Sequence, residues 1–237
     1  MSTAFARSLC KAASAPYGRA GWFAWCFARG KLLGDPVFRI LLEQGLLSHP
    51  AHLLDLGCGK GLLASLLRVA RCRFEAGEWP AHWPEPPNLT SYRGIEKARR
   101  DVLCAQRALG EPARIELGDI RTADFGAPDA IVLLDVLHYL DEAAQNEVLE
   151  RARRALPAGG ILLLRVGNAD GGFGFTYSTW VDHIVSLCRG NPPARLTCRS
   201  AQAWQALLSG LGYSVEVVPM QLGTAFSNVL FLARVGP

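Results

Sequence analysis

The sequence predicts an α/β protein built on a seven-stranded, mostly parallel sheet, and three observations carry that prediction. From Ala51 onward, short apolar runs alternate with amphipathic helical segments, the pattern of parallel strands joined by crossover helices. A glycine-rich turn, Gly57-Cys58-Gly59-Lys60-Gly61, joins the first apolar run to the first helical one. Two closing runs, about 213–219 and 227–235, lie near enough in sequence to pair antiparallel. The 237 residues, 50% hydrophobic and 19% charged, are enough for a core of ordinary size without staples. No apolar run reaches the roughly 20 residues of a membrane-spanning helix.

Each element follows from its own signals. Residues 3–15 suit a short helix broken at Pro16-Tyr17-Gly18, and Trp22, Trp25, Cys26, Arg29, Leu32 and Leu33 recur at helical spacing. Asp35-Pro36 reads as an N-cap with proline at the first helical position, opening a helix to about Leu46. Strands are expected at 51–56, 92–96, 113–117, 129–134 and 160–166, with helices at 60–71, 97–109 and 141–155. After Val166 come a glycine-rich loop and helices near 178–188 and 200–210. The expected organisation is a helical extension or lid over 1–50 and a main domain over 51–237. The segment from Glu78 to Pro87 carries two Trp and four Pro, which excludes a regular helix or central strand. It is a stiff aromatic loop, either a surface insertion or a wall or partner patch.

The net charge of +4 is unevenly placed: residues 1–50 hold six Lys/Arg against two acids, and residues 51–237 hold 19 against 19. Nucleic acid is therefore not the expected partner of the main body, which lacks a basic stripe. Seven cysteines with no C-x-x-C spacing predict neither a zinc site nor a redox pair, and a reducing cytoplasmic compartment. No cleaved presequence is expected, although the N-terminus is basic with no acid before Asp35.

The glycine turn narrows the chemistry. A dinucleotide fingerprint needs glycine at 62, where Leu62 stands, and a P-loop needs Ser or Thr after Lys60, where Gly61 stands. With Asp55 at the end of the first strand, Asp-x-Gly-x-Gly-x-Gly resembles motif I of class I S-adenosylmethionine-dependent methyltransferases. Further matches follow in order: Glu96 closing the second strand, Asp119 after the third, Asp135-Val136-Leu137-His138-Tyr139-Leu140 after the fourth, and Pro157-Ala158-Gly159-Gly160 before the fifth.

The resemblance implies a Rossmann-like fold with helices on both faces and S-adenosyl-L-methionine as cofactor. It implies cofactor contacts from Asp55, Gly57, Cys58, Gly59, Gly61, Glu96, Lys97, Asp119, Ile120, Asp135 and Leu137. Glu96 would accept from the ribose hydroxyls, although the 41 residues from Asp55 to Glu96 are a long interval and let Glu75 or Glu78 compete. Asp55 would face the cofactor's amino-acid end or else satisfy the turn's own N–H groups, and Asp119 would lie near the adenine or simply cap a helix. His138 is the candidate general base because imidazole titrates near neutral pH, with Tyr139 and His183 as further candidates. The alternative for His138 is a purely positioning role.

The loop after strand four lacks the Asn/Asp-Pro-Pro-aromatic segment of amino-methylating nucleic-acid enzymes, and no cysteine there suits pyrimidine C5 chemistry. A small, lipophilic acceptor is favoured, with Trp22, Phe23, Trp25, Phe27 and residues 173–187 expected to fold over it. Residues 21–38, the Trp/Pro insertion and the 135–140 loop also resemble methyltransferases encoded with bacterial aryl polyene (xanthomonadin-type) pigment pathways. That similarity implies O- or C-methylation of an aromatic head group. The basic aromatic N-terminus adds peripheral contact with the inner membrane surface. Oligomeric state stays open, and the rival readings are a non-catalytic cofactor-binding or membrane scaffold and an RNA methyltransferase.

Overall fold

The structure is a computed structural model that describes residues 2–47, 49–110, 113–167, 197–218, 220 and 228–236. The expected helix at 178–188, His183, and the glycine-rich loop beyond Gly167 lie outside the described residues. The strands are β1 (His52–Leu56), β2 (Ser91–Glu96), β3 (Arg114–Leu117), β4 (Ala130–Leu134), β5 (Ile161–Gly167), β6 (Tyr213–Val218) and β7 (Asn228–Val235). They form one seven-stranded sheet in the order β3-β2-β1-β4-β5-β7-β6. β1 pairs parallel with β2 and β2 with β3, whereas β7 runs antiparallel to both β5 and β6. This is the Rossmann-like, mostly parallel arrangement expected. The chain divides into two compact units, Met1–Ile131 and Val132–Pro237.

The first unit contains α1 (Ser2–Ser14), a 3₁₀ turn (Ala15–Ala20), α2 (Trp22–Gly34), α3 (Pro36–Glu43), α4 (Leu62–Glu75) and α5 (Arg99–Leu109). The Pro16-Tyr17-Gly18 break is the 3₁₀ turn, and Asp35 caps α3 by accepting from Val37 N at 3.1 Å. α3 stops at Glu43 rather than Leu46, because Gly45 turns the chain with a φ of 61°. α4 starts two residues later than predicted: Gly61 is left-handed (φ 71°) and so ends the turn instead of opening the helix. Leu53, Leu54 and Leu56 of β1 and Leu63, Leu66 and Leu67 of α4 are all buried, each burial worth about 1.5–3 kcal/mol.

The N-terminal helices belong to this unit and are tied into it by buried bonds. Ser65 Oγ donates to Ala13 O at 2.7 Å, and Cys10 Sγ to Leu32 O at 3.2 Å. The Trp/Pro segment is irregular, as its prolines require, and it packs on α1. The Phe5 ring stands edge-on to Trp79 (5.6 Å) and Trp83 (5.5 Å), and Trp79 stacks edge-on against Phe74 (6.4 Å).

The second unit contains a 3₁₀ turn (Leu137–Tyr139), α6 (Glu142–Ala155) and α7 (Ala201–Gly210), with β5–β7 supplying its apolar core. Asp141 and Ser200 cap α6 and α7 by accepting from Ala144 N (2.8 Å) and Ala203 N (3.1 Å). Val235 N donates to Gly160 O at 2.9 Å and Gly159 N to Val235 O at 3.1 Å, so Pro157-Ala158-Gly159-Gly160 leads directly into the β5–β7 ladder.

Candidate active site

In the first unit the glycine turn hangs from β2: Gly57 N and Cys58 N both donate to Ile95 O, at 2.8 and 3.2 Å. Two of its glycines are needed for different reasons. A Cβ on Gly61 would meet Leu109 Cδ1 at 2.7 Å, so this glycine serves packing between turn and α5. A Cβ on Gly59 (φ 55°) would meet nothing within 4 Å, so this glycine leaves open space beside a left-handed backbone. The Glu96 carboxylate lies against the same turn, accepting from Gly59 N (2.9 Å) and Ala98 N (2.7 Å). Its competitors are committed elsewhere: Glu75 pairs with Arg71 and Glu78 with Arg73.

Asp55 is 4% exposed and accepts a hydrogen bond from the Tyr92 hydroxyl, a partner that sequence reasoning missed. Burial raises its carboxyl to about 7; the Tyr92 bond pulls it down somewhat, and the charge of Glu96 pushes it up. Burial, with Asp55 and Glu96 nearby, also pushes the Cys58 thiol far up, so this cysteine packs as a neutral side chain. Asp119 is instead held well below the carboxylate range, first by hydrogen bonds from Arg121, with Lys97 Nζ at 3.1 Å adding to the effect. Ile120 beside it is buried.

Lys60, the residue between Gly59 and Gly61, is gripped from three sides. Its carbonyl accepts from the fully buried Tyr17 hydroxyl at 2.7 Å, its ammonium pairs with Asp101 at 2.8 Å, and the Phe27 ring lies 4.2 Å from that ammonium. The N-terminal segment thus fixes the turn, a contact no local pattern announced.

In the second unit Asp135 has a φ of 59°, a left-handed conformation that is costly for a side-chain-bearing residue. Arg165, 2% exposed on β5, holds it: Arg165 Nε donates to Asp135 Oδ1 at 2.8 Å, a second nitrogen donates to Oδ2, and Asp135 N donates to Arg165 O at 3.1 Å. The sequence did carry a signal for Arg165, a single charge inside Ile161-Leu162-Leu163-Leu164-Arg165-Val166, since a buried guanidinium needs a partner. The following turn is pinned by the fully buried Gln145, whose amide donates to Leu137 O (3.0 Å), Leu140 O (3.1 Å) and Thr197 O (2.9 Å). Within it Leu137 and His138 are buried, Tyr139 is 43% exposed, and the last two rings lie 4.3 Å apart.

The donor set of the first unit fits S-adenosylmethionine. A carboxylate only accepts, and after two backbone N–H bonds Glu96 keeps lone pairs for a diol. The space at Gly59 admits a ligand to the backbone, which a side chain would fill. Among the described residues no group of His, Cys, Asp and Glu is arranged to hold a metal ion.

Residues 28–217 match the family described as methyltransferase domain. A carboxy-S-adenosyl-L-methionine synthase from Chromohalobacter salexigens is 32% identical over 129 residues, 52% of this chain. The chain spans less than half, 43%, of that curated relative's length. Among solved structures, an O-methyltransferase family protein from Burkholderia thailandensis superposes with a TM-score of 0.61 at 19% identity, covering 92% of this chain and 62% of its own. Magnesium protoporphyrin IX methyltransferase from Synechocystis, solved with bound S-adenosylhomocysteine, gives 0.59 at 17% identity, covering 89% and 87%. The chain belongs to the methyltransferase-domain family, of the class I S-adenosylmethionine-dependent kind, and S-adenosylmethionine is its cofactor.

Proposed function

We propose that this chain methylates a small, lipophilic, aromatic acceptor on oxygen or ring carbon, within aryl polyene pigment biosynthesis. The observation that carries the reading is the glycine turn, where Gly59 leaves space beside its backbone and Glu96 offers a carboxylate at the same point. When bound, the sulfonium supplies an activated methyl group and departs as a neutral thioether. The protein's task is alignment and exclusion of water. Glu96 holds the ribose hydroxyls, and the backbone of Gly57, Cys58, Gly59 and Gly61 lies against the cofactor. Asp55 faces the cofactor's amino-acid end, with its carboxylate held by the Tyr92 hydroxyl. By the family resemblance, Lys97, Asp119 and Ile120 are assigned to the adenine, and Asp135 and Leu137 to the methionine moiety. His138 takes the proton of a hydroxyl acceptor on its imidazole, and Tyr139 orients the ring.

Residues 1–50 serve as a lid-like extension of a methyltransferase domain at 51–237, with Tyr17 and Phe27 securing Lys60. Support for the acceptor class comes from neighbours named for O-methylation and for a porphyrin, and from the neutral balance of residues 51–237, which disfavours nucleic acid. The chain works in the cytoplasm, and the lipophilic acceptor brings it to the inner membrane surface.

Calorimetry with S-adenosylhomocysteine is expected to show binding that Gly59→Arg abolishes, and labelled methyl is expected to enter lipophilic phenols or polyene extracts. No heat of binding, with Gly59→Arg indistinguishable from wild type, overturns the reading. Binding without turnover on any phenol favours the scaffold alternative.

A further inference from the structure

We infer that the Trp22–Phe23 edge of α2, with the cations around it, docks on an anionic lipid bilayer. This deepens the reading above by naming the surface on which a lipophilic acceptor is met. Trp22 is 69% and Phe23 86% exposed, whereas the same helix buries Ala28 and Leu32 against its neighbours. Trp22 stacks on Trp25 of the same helix, at 5.0 Å between ring centroids, and still leaves most of its surface outside the core. A bilayer interface accepts such rings at headgroup depth.

The charge around them selects the partner. Only two acids lie in residues 1–50, and both are matched at close range: Asp35 by Lys31 (2.7 Å) and Glu43 by Arg39 (2.7 Å). Arg7, Lys11, Arg19 and Arg29 make no ion pair among the described residues, and Arg29 lies 5.3 Å from the Trp25 ring. Arg19, three residues before Trp22, and Arg29, beside Trp25, bring uncompensated cations to this aromatic edge, and on a chain otherwise balanced in charge they suit phosphate headgroups better than a neutral protein surface. No described helix is long and apolar enough to cross a membrane, so the contact lies in the plane of the interface.

The test is co-sedimentation of the full chain with vesicles of roughly one-third phosphatidylglycerol and with pure phosphatidylcholine vesicles. Wild type is expected to partition onto the anionic vesicles, with binding reduced by salt. Trp22→Ser/Phe23→Ser should partition about tenfold less, with unchanged thermal midpoint and unchanged S-adenosylhomocysteine binding. Equal partition of wild type and variant overturns the inference, as does equal binding to both vesicle types. A wild-type dimer that the double substitution dissociates, without vesicle binding, also overturns it by assigning the edge to a second copy of the chain. The vesicle assay contains neither cofactor nor acceptor. Failure of the methyltransferase reading therefore leaves its outcome independent.

Discussion

Asp55 at the end of β1 and Asp135 just beyond β4 occupy matching places in their two units, yet they are held in opposite ways. Asp55 is sealed against a neutral hydroxyl, and burial lifts its carboxyl toward neutral pH. Asp135 is partly exposed and clamped by the buried Arg165 guanidinium, which also fixes an otherwise costly backbone conformation. The first arrangement leaves a carboxyl that titrates near neutral pH and lets glycines shape the turn. The second spends a buried cation to shape a loop without glycine. The difference predicts that pH acts on the first unit through Asp55, whereas loss of one side chain disturbs the second.

The largest effect concerns Asp55. Its folded value near 7 lies above the ordinary 3.8, so the protonated form stabilises the fold below about pH 4 and that stability is lost as pH rises through 7. Three units correspond to about 4 kcal/mol at most. Asp55→Asn is expected to flatten that pH dependence in urea unfolding, while parallel wild-type and variant profiles would break the comparison. Next is Asp135→Ala, which removes the paired carboxylate from Arg165 and is expected to cost about 3 kcal/mol, with Asp135→Asn milder because asparagine tolerates a left-handed backbone. The same unfolding series measures both. A loss near zero for the alanine variant would show that the ion pair shapes nothing.

The smallest effect belongs to Tyr17→Phe. It strips the donor from the Lys60 carbonyl, at a cost of about 1–2 kcal/mol, and should weaken S-adenosylhomocysteine binding about threefold. Ser65→Ala also severs a bond to the N-terminal segment, yet it leaves the turn itself untouched. Equal loss of affinity in both variants would deny Tyr17 a specific effect on the turn.

These cases also mark what could be read from residue order. Strand positions along the chain, the turn glycines and Glu96 follow from local patterns: an apolar run, alternate glycines, an acid closing the next strand. Tyr92, Arg165, Tyr17 and Gln145 act through partners fixed only by tertiary packing, so spacing says nothing of whom they meet. Arg165 alone left a trace, as a charge in an apolar strand. The Trp/Pro insertion was legible as irregular because proline forbids helix and ladder, but its packing on Phe5 was not, since nothing near residue 79 refers to residue 5.

That packing sets a schedule for synthesis. Phe5 meets Trp83 across 78 positions of chain, and Ala13 meets Ser65 across 52. A ribosome adding roughly 5–20 residues per second needs on the order of 4–16 s to deliver the later partner. Until then α1, whose Leu9 and Ala13 are buried in the finished protein, lacks these later partners. α1 thus leaves the exit tunnel before the chain that covers it, and its place in the fold is completed only by residues made after it.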